Sequence, residues 1–175
     1  MYYQCTMKKY SQIITAVLVV MLAGCTVPAP IHYHAGFQVY VDNKLQDFSD
    51  LKYMHVKPCM LHEENAPLTA DEIQNEKAHL HDRNGDVVHT HQAGAIWGDL
   101  FTNINYQLKP EMPLKAYVNG ELYNGDIFKK PIIAYESVVI FAGTNDEIPK
   151  KLAGAVTKTR LLEVEGKSED CGVKK

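Results

Sequence analysis

Apolar residues take every second position over residues 31–41, as Ile31, Tyr33, Ala35, Phe37, Val39 and Val41. That period predicts a β-strand with one core face, leaving His32, His34 and Gln38 on the other, away from the core side. Asp42-Asn43 supplies turn chemistry leading to a second strand near residues 44–48. The string Tyr40-Val41-Asp42-Asn43-Lys44-Leu45 is echoed by Tyr117-Val118-Asn119-Gly120-Glu121-Leu122. Each reads as strand, tight turn, strand, and Asn119-Gly120 meets the positive φ demand of a type I′ turn. Residues 132–141 form a further apolar strand region.

Helical periods appear in two places. Thr69 with Glu72 three residues later is a capping-box pattern, with Asp71 favourable beside the helix start, so a short helix is predicted between residues 67 and 77. Trp97, Leu100, Phe101 and Ile104 fall at i, i+3, i+4 and i+7 and predict a second helix packing one apolar stripe on a sheet. From residue 144 the chain turns polar and charged, reading as a surface helix or loose tail that ends near Cys171. Together these elements predict a single α+β domain, mostly antiparallel β hairpins packed with one or two short helices. A histidine-rich β domain would span residues 31–143, followed by a charged segment, 144–175.

The chain has eight histidines, and six of them form His-x-His pairs: His32 with His34, His79 with His81, and His89 with His91. Two residues apart on a strand share a face at about 6 to 7 Å, a spacing from which two imidazoles converge on one ion. Residues 78–91 read as a hairpin whose register decides the chemistry. A two-residue Asn84-Gly85 loop would put the two histidine pairs on opposite faces. A three-residue Arg83-Asn84-Gly85 loop, with Gly85 in the left-handed bulge position, sets Leu80 against Val88 and Ala78 against Thr90 on one face. His79, His81, His89 and His91 then share the other, with His79 opposite His89. A one-residue slip exchanges the faces, and the hydrophobic pattern selects the second register. The plain alternative is a solvated polar sheet face.

Imidazole suits zinc, copper, iron and nickel, so histidine alone does not name the metal. Cys59-Met60-x-His62 is a softer set that would favour copper if it joined the site. Asp82 and Asp86 flank the turn and fit the role of carboxylates that orient imidazoles. The order and flanking helices of a calcium-binding EF-hand are missing, as are a Cys-x-x-Cys-His haem site and a glycine-rich phosphate loop.

The apolar run at residues 13–22 follows Lys8 and Lys9 and is too short for the roughly 20 apolar residues of a membrane span. Met7-Lys8-Lys9 has the look of a natural start. Leu22-Ala23-Gly24-Cys25 closes the run and resembles the bacterial lipobox, which implies a signal peptide over residues 1–24 and acyl chains on Cys25. Residues 26–30, with two prolines, would tether the domain to the cell surface or the periplasmic side of a bacterial membrane. Without Lys8 and Lys9, 16 basic residues face 21 acidic ones, a charge of −5 that disfavours nucleic acid as a partner. Cys59 and Cys171 are the thiols left after processing. In an oxidising compartment they form a disulfide closing a loop of over 100 residues, worth on the order of 4 to 5 kcal/mol, unless Cys59 is a metal ligand.

His79-Leu80-His81-Asp82 through Gly85-Asp86-Val87-Val88-His89-Thr90-His91, followed by Trp97-Gly98-Asp99-Leu100-Phe101, is similar to a group of small exported proteins. These carry a histidine-rich hairpin before a short helix and a later Val-Asn-Gly hairpin. The resemblance spans roughly residues 31–145 and implies metal binding. The leading expectation is a non-catalytic lipoprotein that acquires, buffers or delivers copper or zinc. Its ligands would be His79, His81, His89 and His91, with His32 and His34 entering from the first strand. Ligand excess motivates it, since a catalytic zinc site uses three protein ligands and keeps one position open. The alternative is a cupin-like or hydrolase-like metalloenzyme in which His79, His81 and His89 hold the ion and Asp86 or Glu63 handles protons. A surface adhesion module with incidental histidines would bind no metal.

Overall fold

The computed structural model describes residues 31–55 and 69–167. Its centre is β1 (Tyr33–Val41), around which lie β2 (Lys44–Leu45), β3 (Val87–Thr90), β4 (Leu114–Val118), β5 (Glu121–Tyr123) and β6 (Ser137–Ala142). They form one α+β domain built on a six-stranded mixed sheet in the order β2-β1-β6-β4-β5. Strand β3 pairs with β1 on the same edge as β2, one after the other along the strand. The opposite edge of β1 runs parallel to β6, with Phe37 beside Val138 and Val39 beside Ile140. That parallel pair is the departure from a sheet made of hairpins alone.

The two echoing strings fold alike. Tyr40 pairs with Leu45 and Tyr117 with Leu122, and each two-residue turn has positive φ at both central positions: Asp42 and Asn43, Asn119 and Gly120. The second strand of the first hairpin stops at Leu45, after which the chain turns Phe48 into the core. The strand expected from residue 132 begins only at Ser137, because Tyr135 sits at φ 62° and the preceding residues bend around Glu136.

Helix α1 (Ala70–Lys77) starts from Thr69, whose hydroxyl accepts from the Glu72 N–H while the Glu72 carboxylate accepts from the Thr69 N–H. Helix α2 (Trp97–Asn103) buries Trp97, Leu100 and Phe101 against Phe37 and the odd face of β1. Asp99 ties the two helices together by accepting from Gln74 Nε2 at 3.0 Å and Lys77 Nζ at 3.3 Å, and Asn103 donates to the Gln74 and Ala78 carbonyls. These bonds fix where α1 ends, and residues 78–81 leave from that point.

The charged C-terminal segment is not loose through residue 167. Helices α3 (Ile148–Ala153) and α4 (Lys158–Glu165) follow the sheet, and Val156, Leu161 and Val164 bury against Val87. A Cβ on Gly36 would collide with Val156, so the glycine admits this segment onto the even face of β1. Arg160 completes the attachment with a two-pronged ion pair to Asp86, at 3.0 and 2.9 Å, and a bond to the Asn84 side-chain oxygen at 2.9 Å.

Candidate metal centre

Register brings the histidines together. In the antiparallel β1–β3 pair His34 stands opposite His89, and one step further His32 stacks on His91 with ring centroids 4.7 Å apart. On the other edge of β3, His79 bridges His89 through N–H···O bonds of 3.0 and 2.9 Å. Alternation then places Ala35, Val88, Leu80 and Ala78 in the core and all six paired histidines on the opposite side. His55, following the short 3₁₀ turn Leu51–Tyr53, joins them: its N–H donates to the Leu80 carbonyl at 2.8 Å and its ring lies 5.4 Å from that of His79. Seven imidazoles therefore form one continuous layer. The eighth, His62, lies outside the described residues, as do Cys25, Cys59, Met60, Glu63 and Cys171.

His89 is the hub. Its Nδ1 lies 2.8 Å from His34 Nε2 and 2.7 Å from His81 Nε2. His81 Nδ1 is held 2.7 Å from the Asp82 carboxylate, so an ionised Asp82 accepts its N–H and leaves Nε2 as a lone-pair nitrogen. In neutral rings His89 Nδ1 then either donates to one of the two facing Nε2 nitrogens or accepts from His34 alone, so one of its two contacts has no proton in it, which is a poor hydrogen-bond set and a good cation set. Two nitrogens held at 2.0–2.1 Å by a tetrahedral ion stand ~3.3 Å apart, so these rings, whose centroids lie 3.5 Å (His81 and His89) and 4.0 Å (His34 and His89) apart, must turn and move apart to admit one. His79 is oriented in a similar way, its Nδ1 donating to the Asn75 carbonyl at 3.0 Å, which leaves Nε2 as the basic nitrogen.

A second grouping overlaps the first. His32, His89 and His91 present ligand nitrogens all within 4.8 Å of one another, and this set can hold a metal ion. It runs from an exposed His32 through a half-buried His91 to a fully buried His89, so the layer has a wet side and a dry side. Burial also disfavours the charged form of His89 and His79. It pushes the His89 pKa far down, with His81, His34, His79 and His32 adding repulsion against a further positive charge. Burial likewise lowers His79 to about 4, against a smaller upward pull from the Asn75 carbonyl and Glu76. Neutral imidazole is the form that binds metal.

Three expectations about this region change. Gly85 is not the left-handed residue of the turn: Asp82 and Arg83 are, at φ 53° and 58°, and the Asn84 N–H closes the turn on the His81 carbonyl at 3.0 Å. Gly85 is needed instead because a Cβ there would collide with the backbone of Phe48 and Ser49. Residues 78–81 make isolated bridges rather than a regular strand, one to His89 and one, through Leu80, to Met54. Asp86 orients no imidazole and is not poised for proton transfer, since Arg160 takes up both its oxygens. Asp82 alone of the two flanking carboxylates meets a histidine ring. In sequence His55 counts only toward the ligand excess, with His62 and Cys59, because it sits outside any His-x-His pair; it reaches the layer through the Met54–Leu80 bridge. Compared with protein-family models, with curated proteins and with solved structures, the chain matches none.

Proposed function

We propose that this chain is an exported, lipid-anchored metal-binding protein that holds copper or zinc on the outer side of a bacterial membrane for acquisition, buffering or delivery. One observation carries the metal reading: seven imidazoles form a single layer, with the His32, His89 and His91 nitrogens within 4.8 Å of one another. Crowded buried imidazoles that stay neutral gain little from one another, and a cation converts their lone pairs into bonds. Export and anchoring rest on Leu22-Ala23-Gly24-Cys25 and the short apolar run before it. Among the described residues no helix is long and apolar enough to cross a membrane. Binding without catalysis is favoured by the ligand excess and by the engagement of Asp86 with Arg160.

Elemental analysis of the purified protein should find copper or zinc. After chelation, calorimetric titration should show tight uptake of both, copper(II) above zinc in the usual order for nitrogen ligands. His89→Ala should weaken binding by more than the roughly 10–100-fold that loss of an outer orienting partner costs. Native protein with no tight site for either ion would end the metal reading. For the anchor, the intact mass of membrane-extracted protein should show acyl chains on a mature Cys25, and Cys25→Ala should release the protein from the membrane fraction. A Cys25→Ala form processed and acylated as before would refute it.

A further inference from the structure

We propose that the histidine layer takes two ions rather than one: an inner ion at His34, His81 and His89, and an outer ion at His32, His89 and His91. This rests on the metal-binding reading and deepens it. The two ring nitrogens of an imidazole point away from each other, so one ring cannot give both to a single ion. His89 Nδ1 is committed to the side of His34 and His81, at 2.8 and 2.7 Å. Its other nitrogen, Nε2, is then the one it offers to the group with His32 and His91, whose ligand atoms lie within 4.8 Å of one another. Ligand number agrees, because a tetrahedral ion uses four ligands at most and the layer supplies seven described imidazoles.

Depth separates the two positions. His34 and His89 are fully buried, whereas His32 is exposed and His91 half-buried. The third inner ligand, His81, is half-buried beside the exposed Asp82, so the inner position rests on two fully buried rings and the outer one on a single buried ring, His89. Asp82, bonded to His81 at 2.7 Å, supplies negative charge to the inner position. Sharing His89 through both nitrogens requires the loss of its one ring N–H. That proton passes to solvent as the second ion binds, and no electron transfer is involved.

Full-length apo-protein titrated with copper(II) should take up two equivalents per chain. The first should show an ordinary paramagnetic resonance signal, and the second should reduce that signal by magnetic coupling through the shared ring. His81→Ala should keep one equivalent at the outer position, His91→Ala should keep one at the inner position, and both should show uncoupled signals. His91 lies toward the surface, so its replacement leaves the fold in place even if His81→Ala does not. One equivalent in the native protein, or two that remain magnetically independent, overturns the shared site while leaving metal binding intact. No uptake at all overturns the metal reading itself.

Discussion

Glu136→Ala should destabilise the domain by about 3–5 kcal/mol, the cost of leaving a buried charge without its partner. Glu136 is 5% exposed and its carboxylate pairs with the Lys130 ammonium, whose side chain is 13% exposed. The same carboxylate accepts from the fully buried Trp97 indole N–H at 3.0 Å and from the Ile133 N–H at 3.1 Å. Truncation strands a cation and two donors at once, whereas Glu136→Gln keeps acceptors for the neutral donors and should cost less. The loop concerned also touches the histidine layer, since the Tyr135 N–H donates to the His34 carbonyl at 2.8 Å. Chemical denaturation of the two variants measures the difference, and thermal melting should fall by roughly 10 °C for the alanine form. A loss below about 1 kcal/mol would mean that Lys130 finds water in the variant and that the pair is not buried in the sense argued.

Acid should unfold the metal-free protein well before it unfolds the loaded one. His79 is pushed down to about 4 and His89 is lowered as well, in both cases chiefly by burial. A base with a depressed folded pKa is neutral in both states at high pH, so its contribution is flat above the unfolded value near 6.5. Below that, the unfolded chain binds a proton that the folded chain refuses, and stability falls as pH drops from about 6.5 toward 4. His79 alone, over that window, removes about 3 kcal/mol, and His89 deepens the loss in the same direction. A bound ion occupies the nitrogens that protons would take and stabilises the folded form by mass action. Denaturation midpoints between pH 7.5 and 4 should therefore diverge for apo and copper-loaded protein, with the apo curve the steeper. Apo stability that is flat across this range would show that the layer admits water and protons freely.

The period-2 stripe of residues 31–41 was enough to place Ala35, Phe37 and Val39 in the core and His32 and His34 on the reverse face. The same parity put both histidines of each His-x-His pair on one side, the capping residues marked the start of α1, and the Trp97 stripe marked the buried face of α2. All of these are local, because the side-chain direction of a strand or helix residue follows from its neighbours' spacing alone. Tertiary structure decided the rest. Nothing near residue 34 says that its partner is His89, because the two lie 55 residues apart in the chain. Nor does local spacing reveal the parallel β1–β6 pair, whose partners are about a hundred residues apart. The reverse face of β1 looks solvated in sequence, yet His34 is fully buried, and next to it Val156 packs where Gly36 leaves room. Gly85 shows the same division: its sequence neighbours read as turn chemistry, and its actual role is to let the backbone of Phe48 and Ser49 pass. Spacing chooses a residue's face. Which faces then close on each other depends on long-range pairing, whose energy is spread over many distant contacts and leaves no periodic trace along the chain.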